Sequence, residues 1–267
     1  MTERRLSSQM SDRVMENQES ADCLLPMGIT SENVAAKYNV SRQKQDAFAA
    51  ESFSRAAKAH KAGLFKGEIV PVKTTKVVGD DEKELTVTDD DGIRDGVTAE
   101  SLGKLKPVFS KTGSTHAGNA SQVSDGAAAV LLASRSFAKK HGLQILGRFV
   151  NATVVGVPPN IMGIGPALAI PKLLATNGLG KDDVDFYEIN EAFASQAVMS
   201  VEHIGLDFAV VNPRGGAIAL GHPLGATGAR QVATGYPIAK ERNAKLFVTS
   251  MCIGSGMGMA ALFTNEQ

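Results

Sequence analysis

The sequence predicts a layered α/β fold, and three observations support that prediction. From Leu143 onward, strand-like apolar runs alternate with helical patterns. Glycines and prolines mark most of the junctions between them. Three motifs rich in reactive side chains follow predicted strands, which is where open α/β sheets build their sites. Such alternation is typical of a sheet covered by helices.

The first part of the chain contains two predicted helices and two short predicted strands. A helix is expected to begin near residues 30–31, and a second helix, capped by Ser41, to run to His60. Residues 69–72 and 84–87 have the composition of strands on either side of an acidic turn.

A long polar stretch, residues 88–123, follows and is rich in turn residues. A stretch of this length is usually functional or disordered. Residues 126–133 are then predicted to form a buried strand, followed by a basic helix that runs to His141.

The second half carries the alternation that defines the fold class. One short strand is expected to run directly into residues 190–194, and a later strand to deliver Cys252. The predicted strands are residues 145–155, 184–189, 245–250 and 260–263, and the predicted helices are residues 166–177, a segment ending at His203, and residues 228–242.

The composition excludes several classes of function. Lys plus Arg and Asp plus Glu both number 28, so no basic field attracts nucleic acid or an anionic membrane. Aromatic residues make up 5% and Trp is absent, which disfavours base-stacking modules. No apolar run approaches the ~18 residues of a membrane span, and no secretory signal is expected. Two cysteines far apart predict a reducing compartment.

The stretch from Val211 to Arg230 contains the strongest chemical signal. It places five glycines and two prolines around His222. Glycines allow positive φ angles and a close approach of backbone to ligand. Pro223 restricts the backbone of His222 and thereby aims its imidazole. A structural histidine is the alternative interpretation, and the glycine and proline setting favours a functional one.

Cys252 opens a second glycine-rich run, which contains Gly254, Gly256 and Gly258. A lone cysteine is more often a small core residue. The glycines change that balance because such a loop frees backbone N–H groups to bind an oxyanion. A histidine and a cysteine in glycine-rich settings together predict nucleophilic or acid/base chemistry on a carbonyl.

The remaining candidate residues have structural alternatives. Asn190 could cap the following helix, and Glu191 could be a first-turn carboxylate favoured by the helix dipole. Cys23 is expected to pack in the core, and the function of His116 stays undecided. Surface or packing positions are expected for His60, His141 and His203.

Two kinds of cofactor are not expected. No His, Cys, Asp and Glu cluster has zinc-like spacing, so a metal ion is disfavoured. No Gly-x-Gly-x-x-Gly run follows a predicted strand, so a dinucleotide site is disfavoured as well.

These motifs resemble those of the thiolase family, and most closely the 3-ketoacyl-CoA thiolases of peroxisomal type. The runs around His222 and from Cys252 to Gly256 are similar to the two C-terminal signatures of that family. Residues 190–194 are similar to a third catalytic block, and residues 23–34 and 117–129 also match the family pattern.

The resemblance implies roles for four residues. Cys252 would be the acid/base cysteine that moves a proton to and from the α-carbon of the acetyl unit. His222 would activate the nucleophilic cysteine and help hold a thioester oxygen. Asn190 would hold the water that completes this first oxyanion hole, and Gly254 would offer an N–H to the second.

The resemblance also implies a coenzyme A site within the polar stretch. Coenzyme A would be a substrate, and no cofactor is expected. The residues at the family's contact positions are Arg94, Ser101, Leu105, Ala117 and Ser121, with Met27 and Phe193 lining the pocket.

The implied architecture is the thiolase-like α/β/α/β/α layering. Residue 1 corresponds to the start of the family's loop domain, so most of the N-terminal sheet domain is expected to be absent. We therefore expect a coenzyme A-binding loop domain over residues 1–123, a remnant of the N-terminal domain over 124–143 and a C-terminal domain over 144–267. The remaining sheet would expose apolar area that is normally covered.

The sequence departs from the family at its nucleophile. Family members use a cysteine in a Cys-Ser-Ser-Gly type turn, which this sequence lacks, and Cys23 lies in a different matched segment. Covalent transfer needs both nucleophile and base.

One hypothesis is an acyltransferase that cleaves 3-oxoacyl-CoA with coenzyme A in fatty acid β-oxidation, or runs the reverse Claisen condensation. The alternative is a non-catalytic acyl-CoA-binding or interaction protein.

The expected partners are acyl-CoA, coenzyme A, and either a second copy of the chain or a thiolase partner that supplies the missing domain. The resemblance implies a peroxisomal location. The C-terminal residues 264–267 are not a Ser-Lys-Leu type signal, so a cytoplasmic location is the alternative.

Overall fold

The computed structural model describes residues 11–79 and 81–267, and it confirms the predicted α/β class. The helices are α1 (Asp12–Glu16), α2 (Gln18–Asp22), α3 (Met27–Lys37), α4 (Arg42–Lys61), α5 (Ala99–Gly103), α6 (Arg135–Lys140), α7 (Gly165–Thr176), α8 (Ala194–Ile204), α9 (Ala217–Leu220) and α10 (Thr227–Glu241). The strands are β1 (Val72–Val78), β2 (Asp81–Val87), β3 (Gly147–Gly156), β4 (Phe186–Ile189), β5 (Leu246–Ile253) and β6 (Met257–Asn265).

The larger sheet has the strand order β3-β6-β5-β4. β4 and β5 are parallel, whereas β6 is antiparallel to both β5 and β3. Helices α7 and α8 cover one face, and α10 covers the other. β1 and β2 form a separate antiparallel hairpin.

The alternation of side chains along the strands produces two apolar cores, because successive residues of a strand point to opposite faces. On the α10 face, the Phe247 ring stacks between Phe186 and Phe263, with centroid distances of 5.2 and 5.1 Å. On the α7 face, Val248 packs with Ile170 and other aliphatic side chains. Each fully buried side chain of this size contributes about 1.5–3 kcal/mol to folding.

Two glycines allow α7 to meet the β5–β6 hairpin. A Cβ atom placed on Gly165 would lie 2.6 Å from the Cα of Gly258 and 3.2 Å from the Cα of Cys252. A Cβ atom on Gly258 would lie 2.4 Å from the backbone of Gly165. Because real Cβ atoms do not approach other atoms this closely, only glycine fits at either position.

The first part of the chain packs against the second half. α3 contacts α8, and the hydroxyls of Ser31 and Ser195 are 2.7 Å apart across that contact. α4 packs on α8 and α9, and its N-terminus is capped by Ser41, as predicted.

Several sequence predictions of local structure are wrong. Helix α3 begins at Met27 rather than near residue 30, and β1 begins at Val72, so residues 69–71 lie outside any strand. The glycine-rich run contains a short helix, α9, which the sequence pattern did not indicate. Cys23 is exposed rather than packed in the core, with its thiol 3.3 Å from the carbonyl oxygen of Glu19.

The largest error concerns residues 126–133. They pair with no strand among the described residues and are largely exposed. The exposed fraction is 82% for Leu131 and 76% for Leu132. The apolar pattern is real, but no described element covers these side chains, so it does not produce a buried strand.

None of the helices in the described part of the chain is long and apolar enough to span a membrane.

Candidate active site

His222 is held at the point where the glycine-rich run leaves α9. Gly221 has a φ of +93°, a conformation that side chains disfavour, and it turns the chain out of the helix. The backbone N–H of His222 donates to the carbonyl oxygen of Gln122 at 2.8 Å. The backbone is therefore fixed on both sides of the imidazole.

Thr227 defines the tautomer of this imidazole. Its hydroxyl donates to the carbonyl oxygen of Pro223 at 3.1 Å, so the same oxygen accepts from Nδ1 of His222 at 2.6 Å. Nδ1 then carries the proton, and Nε2 keeps its lone pair. Burial, helped by the charge of Arg230, lowers the pKa of His222, which keeps the ring neutral.

Asn190 lies directly after β4 and faces His222. Its backbone N–H donates to the carbonyl oxygen of Ser250 at 2.9 Å, which joins it to β5. Its side-chain nitrogen lies 3.3 Å from Nε2 of His222 and donates to that lone pair. The side-chain oxygen is buried and has no hydrogen-bond partner within residues 11–79 and 81–267. Asn190 does not cap α8, whose N-cap is Phe193.

Glu191 is not a first-turn carboxylate of α8. Its carboxylate accepts from the hydroxyl of Ser52 at 2.6 Å and from the side chain of Asn212 at 2.7 Å. It also accepts from the N–H of Ile218 at 3.2 Å, at the start of α9. Complete burial raises the pKa of Glu191, and these bonds oppose the rise. Glu191 therefore supports the loop beneath His222.

Cys252 lies near the end of β5 and has a neutral thiol. Burial raises its pKa to about 11, so the thiol keeps its proton at neutral pH and can act as an acid. The β5–β6 hairpin then turns through Gly254 and Ser255, and Ser255 has a φ of +63°. Gly254 is exposed at this turn.

Two buried glutamines connect these residues, and sequence analysis missed both. Gln196, in the first turn of α8, has its side-chain amide 3.6 Å from Sγ of Cys252. Gln231, on α10, donates to the carbonyl oxygens of Glu188 at 2.9 Å and Ser250 at 3.3 Å. Glu188 and Ser250 each lie two positions before a candidate residue, Asn190 or Cys252. Neither glutamine stands in a glycine-rich motif, so only the fold identifies them.

A buried ion pair also links α10 to β4. Arg230 donates to the carboxylate of Glu188 at 3.3 Å. Complete burial raises the pKa of Glu188 to about 7 in spite of this arginine. The other oxygen of Glu188 has no partner in the part of the chain that the structure describes.

Part of the predicted coenzyme A set lies beside the catalytic candidates. The backbone N–H and the hydroxyl of Ser121 both bond to the carbonyl oxygen of Ala192, at 3.0 and 2.9 Å. Ala120 forms an isolated bridge with Phe193. Ser121 and Phe193 therefore lie on adjoining segments next to Asn190.

The other members of that set are more spread out. Leu105 lies against Gly118, where a Cβ atom would be 2.8 Å from its side chain, so it is close to Ala117. Ser101 forms a capping box with Thr98 in α5. Met27 and Arg94 are exposed, at the start of α3 and before α5. No hydrogen bond joins either residue to His222 or Cys252 within the described residues.

His116 belongs to a buried network that holds this segment. Its Nε2–H donates to Asp46 at 2.8 Å, and its Nδ1 accepts from the N–H of Gly118 at 3.0 Å. Asp46 also accepts from Arg42 at 2.6 Å and from Asn119 at 3.0 Å. Burial lowers the pKa of His116, although Asp46 opposes this. His116, whose function the sequence left undecided, therefore has a structural role.

Comparison with known families gives the decisive observation. Residues 1–136 match the family described as "Thiolase, N-terminal domain", and residues 143–265 match "Thiolase, C-terminal domain". The chain belongs to the thiolase family. The resemblance seen in the motifs around His222 and Cys252 is thereby confirmed.

The thiolase relatives share high identity with this chain. The peroxisomal 3-ketoacyl-CoA thiolase of Yarrowia lipolytica is 64% identical over 96% of the chain and 62% of its own length. The human peroxisomal 3-ketoacyl-CoA thiolase is 58% identical over 95% of the chain and 60% of its own length. The chain thus spans about three fifths of the curated thiolases it matches.

Solved thiolase structures have the same fold. The dimeric peroxisomal thiolase of Saccharomyces cerevisiae superposes with a TM-score of 0.88 and 53% identity, covering 96% of this chain and 63% of that one. Human mitochondrial 3-ketoacyl-CoA thiolase in complex with CoA gives a TM-score of 0.83 and 39% identity, covering 97% and 62%.

Proposed function

We propose that this chain carries the acid/base part of a thiolase active site. In the reaction we propose, coenzyme A cleaves a 3-oxoacyl-CoA to acetyl-CoA and a shortened acyl-CoA, or the reverse condensation runs. The observation that carries the proposal is the contact between Asn190 and the bare Nε2 of His222 at 3.3 Å. The names of the peroxisomal relatives support this reaction and a peroxisomal location.

The residues act at different atoms in this proposal. The lone pair on Nε2 of His222 takes the proton of the coenzyme A thiol as its sulfur bonds to the 3-oxo carbon of the substrate. Asn190 and the protonated His222 then hold the thioester oxygen as it gains charge, and a water held by Asn190 completes that site. The bond between the α-carbon and the 3-oxo carbon then breaks, and Cys252 gives its proton to the α-carbon of the departing acetyl unit. Gly254 offers its N–H to the second carbonyl oxygen.

The substrate site extends from these residues along the segment that contains Ser121. Coenzyme A lies against Arg94, Ser101, Leu105, Ala117 and Ser121, with Met27 and Phe193 lining the pocket. No resident cofactor takes part in the proposed reaction. We also propose that two copies of the chain associate, as the S. cerevisiae relative does.

The first test measures coenzyme A-dependent loss of acetoacetyl-CoA by its enolate absorbance. Since the chain lacks the family's nucleophilic cysteine, turnover requires direct attack by the coenzyme A thiol, and we expect it to fall by more than about a hundredfold in His222→Ala. His203→Ala is the matched control, because His203 is exposed on α8, and it should keep full activity.

A second test separates acid/base chemistry from acyl transfer. Exchange of the methyl protons of acetyl-CoA with deuterium needs an oxyanion site and a proton-transfer group but no nucleophilic cysteine. We expect exchange above the solvent background, lost in Cys252→Ser. If a folded chain gave neither turnover nor exchange, the proposal would be wrong, and the non-catalytic alternative would be favoured.

A further inference from the structure

Gln196 is a fully buried glutamine between the two reactive elements of the site. It lies in the first turn of α8 and is 1% exposed. A buried amide is costly unless its polar atoms find partners. The partners of Gln196 therefore show what holds it there.

The hydrogen bonds determine the orientation of this amide. One orientation satisfies both ends: the oxygen accepts from the N–H of Ala197 at 2.6 Å, and the nitrogen donates to the carbonyl oxygen of Asn190 at 3.0 Å. In that orientation the amide nitrogen, rather than the oxygen, is the atom 3.6 Å from Sγ of Cys252. One of its two hydrogens is used by Asn190, and the second is available to the sulfur.

We propose that Gln196 is a positioning residue that holds Asn190 and Cys252 in one arrangement and donates an N–H to the Cys252 sulfur. The inference rests on the proposed function, because it concerns the step in which Cys252 acts as an acid. When the Sγ–H bond breaks, the proton goes to the α-carbon of the acetyl unit and the electron pair stays on sulfur. An N–H donor stabilises that thiolate more than the neutral thiol.

A purely structural role for Gln196 makes a different prediction. If the residue only satisfies the N–H of Ala197, loss of the amide nitrogen leaves the ionisation of Cys252 unchanged. If the amide nitrogen serves Cys252, its loss disfavours the thiolate. Gln196→Met therefore distinguishes the two roles, whereas Gln196→Glu places a negative charge near Sγ in either case and shows only that the side chain lies beside the sulfur.

The experiment measures the rate at which iodoacetamide alkylates Cys252 between pH 8 and 10. It uses Cys23→Ser protein, so that a single thiol reacts. Because the alkylation rate follows the thiolate fraction, we expect Gln196→Met to lower it by about three- to tenfold. Gln196→Glu should lower it further.

Gln45→Met is the matched control. Gln45 is fully buried in α4, and its side chain makes two N–H bonds, to Val40 at 3.0 Å and Ser114 at 2.9 Å. It should leave the alkylation rate unchanged. An unchanged rate in folded Gln196→Met would overturn the proposal, and so would an equal fall in both methionine variants.

A measurement without any change at Gln196 covers the case in which its variants fail to fold. In Cys23→Ser protein labelled with 15N-glutamine, methylthiolation of Cys252 should shift the side-chain signals of a buried glutamine. Absence of any such shift would refute the N–H contact. Both readouts are independent of turnover, so their failure is distinct from failure of the proposed reaction.

Discussion

The side-chain nitrogen of Asn190 lies 3.3 Å from Nε2 of His222 and joins the end of β4 to the glycine-rich run. The contact requires a lone pair on Nε2, because an amide nitrogen can only donate. Thr227 supplies that condition because its hydroxyl oxygen accepts a hydrogen bond from the Nδ1–H group at 2.6 Å. The base of the proposed reaction is thus prepared by a residue that does not contact the reacting atoms.

Thr227→Val should impair His222 without changing the shape of the site. Valine matches threonine in volume but cannot accept from Nδ1, so the imidazole loses its fixed tautomer. We expect kcat to fall about tenfold, and 15N NMR of His222 to show a mixture of tautomers. Thr234→Val is the control, since Thr234 lies on the same helix and bonds to Glu68 instead. Equal losses in both variants would contradict this account.

Cys252 should ionise far above neutral pH. Burial raises its pKa to about 11, so alkylation in Cys23→Ser protein should be about a hundredfold slower at pH 9 than at full ionisation. The rate should still be rising at pH 10. A plateau below pH 9 would show that the thiol is activated as a nucleophile rather than kept as an acid.

Glu188 makes the stability of the protein depend on pH. Its pKa is raised to about 7 in the folded chain but is about 4.3 when unfolded. The folded state therefore binds more protons between these values, and stability falls as pH rises from about 4.3 to 7.

Glu188→Gln should remove that dependence. Relative to wild type, the variant should gain up to about 3 kcal/mol of unfolding free energy by pH 7 and no more above it. Urea unfolding at a series of pH values measures this. A difference between the two proteins that stays constant across pH 5 to 8 would contradict the prediction.

Asp46→Asn should destabilise the loop that carries Ala117 and Ser121. Asp46 is buried and accepts from Arg42, His116 and Asn119, so removing its charge leaves donors without a full partner. We expect a loss of about 2–4 kcal/mol in urea unfolding. Glu51→Gln is a matched control, because Glu51 pairs with Arg55 at the same spacing but is exposed, and it should cost no more than about 0.5 kcal/mol.

The exposed apolar residues Leu131 and Leu132 should limit solubility. Large exposed apolar patches promote association. The double change to glutamine should lower binding of an apolar dye and raise solubility, with unfolding free energy within about 0.5 kcal/mol of wild type. Leu102→Gln is a contrasting control, since Leu102 is buried in α5 and its loss should destabilise the fold. Unchanged dye binding in the double variant would contradict this.

The sequence predicts elements well where local patterns determine them. Ser41 caps α4, and the apolar runs of β3, β4, β5 and β6 lie close to their predicted positions. The prediction fails at residues 126–133 because periodicity reports a capacity for burial and says nothing about what covers the side chains. The same reason explains why Cys23, which lies in an apolar stretch of the sequence, is exposed and not packed in the core as predicted.

The candidate site was predictable in part. Glycine and proline around His222 reveal a constrained loop. The sequence also places Asn190 and Cys252 at the ends of two strands, and these strands, β4 and β5, are neighbours in the sheet. Gln196 and Glu188 could not be found in this way. Gln196, on α8, lies beside Cys252 on β5, and Glu188, on β4, pairs with Arg230 on α10. These elements meet only in the folded chain. Thr227 could have been identified from the sequence, since it lies one helical turn after Pro223, the residue that follows His222.

The close approach of Gly165 and Gly258 affects the order of events during folding. These glycines are far apart in the sequence, so docking of α7 on the hairpin must close a long loop, which is slower than the formation of a local helix. Shielding of the Cys252 thiol should therefore be among the late events, after local helices such as α4 have formed. Pulsed thiol labelling during refolding would follow this docking step through the same sulfur that the proposed reaction uses.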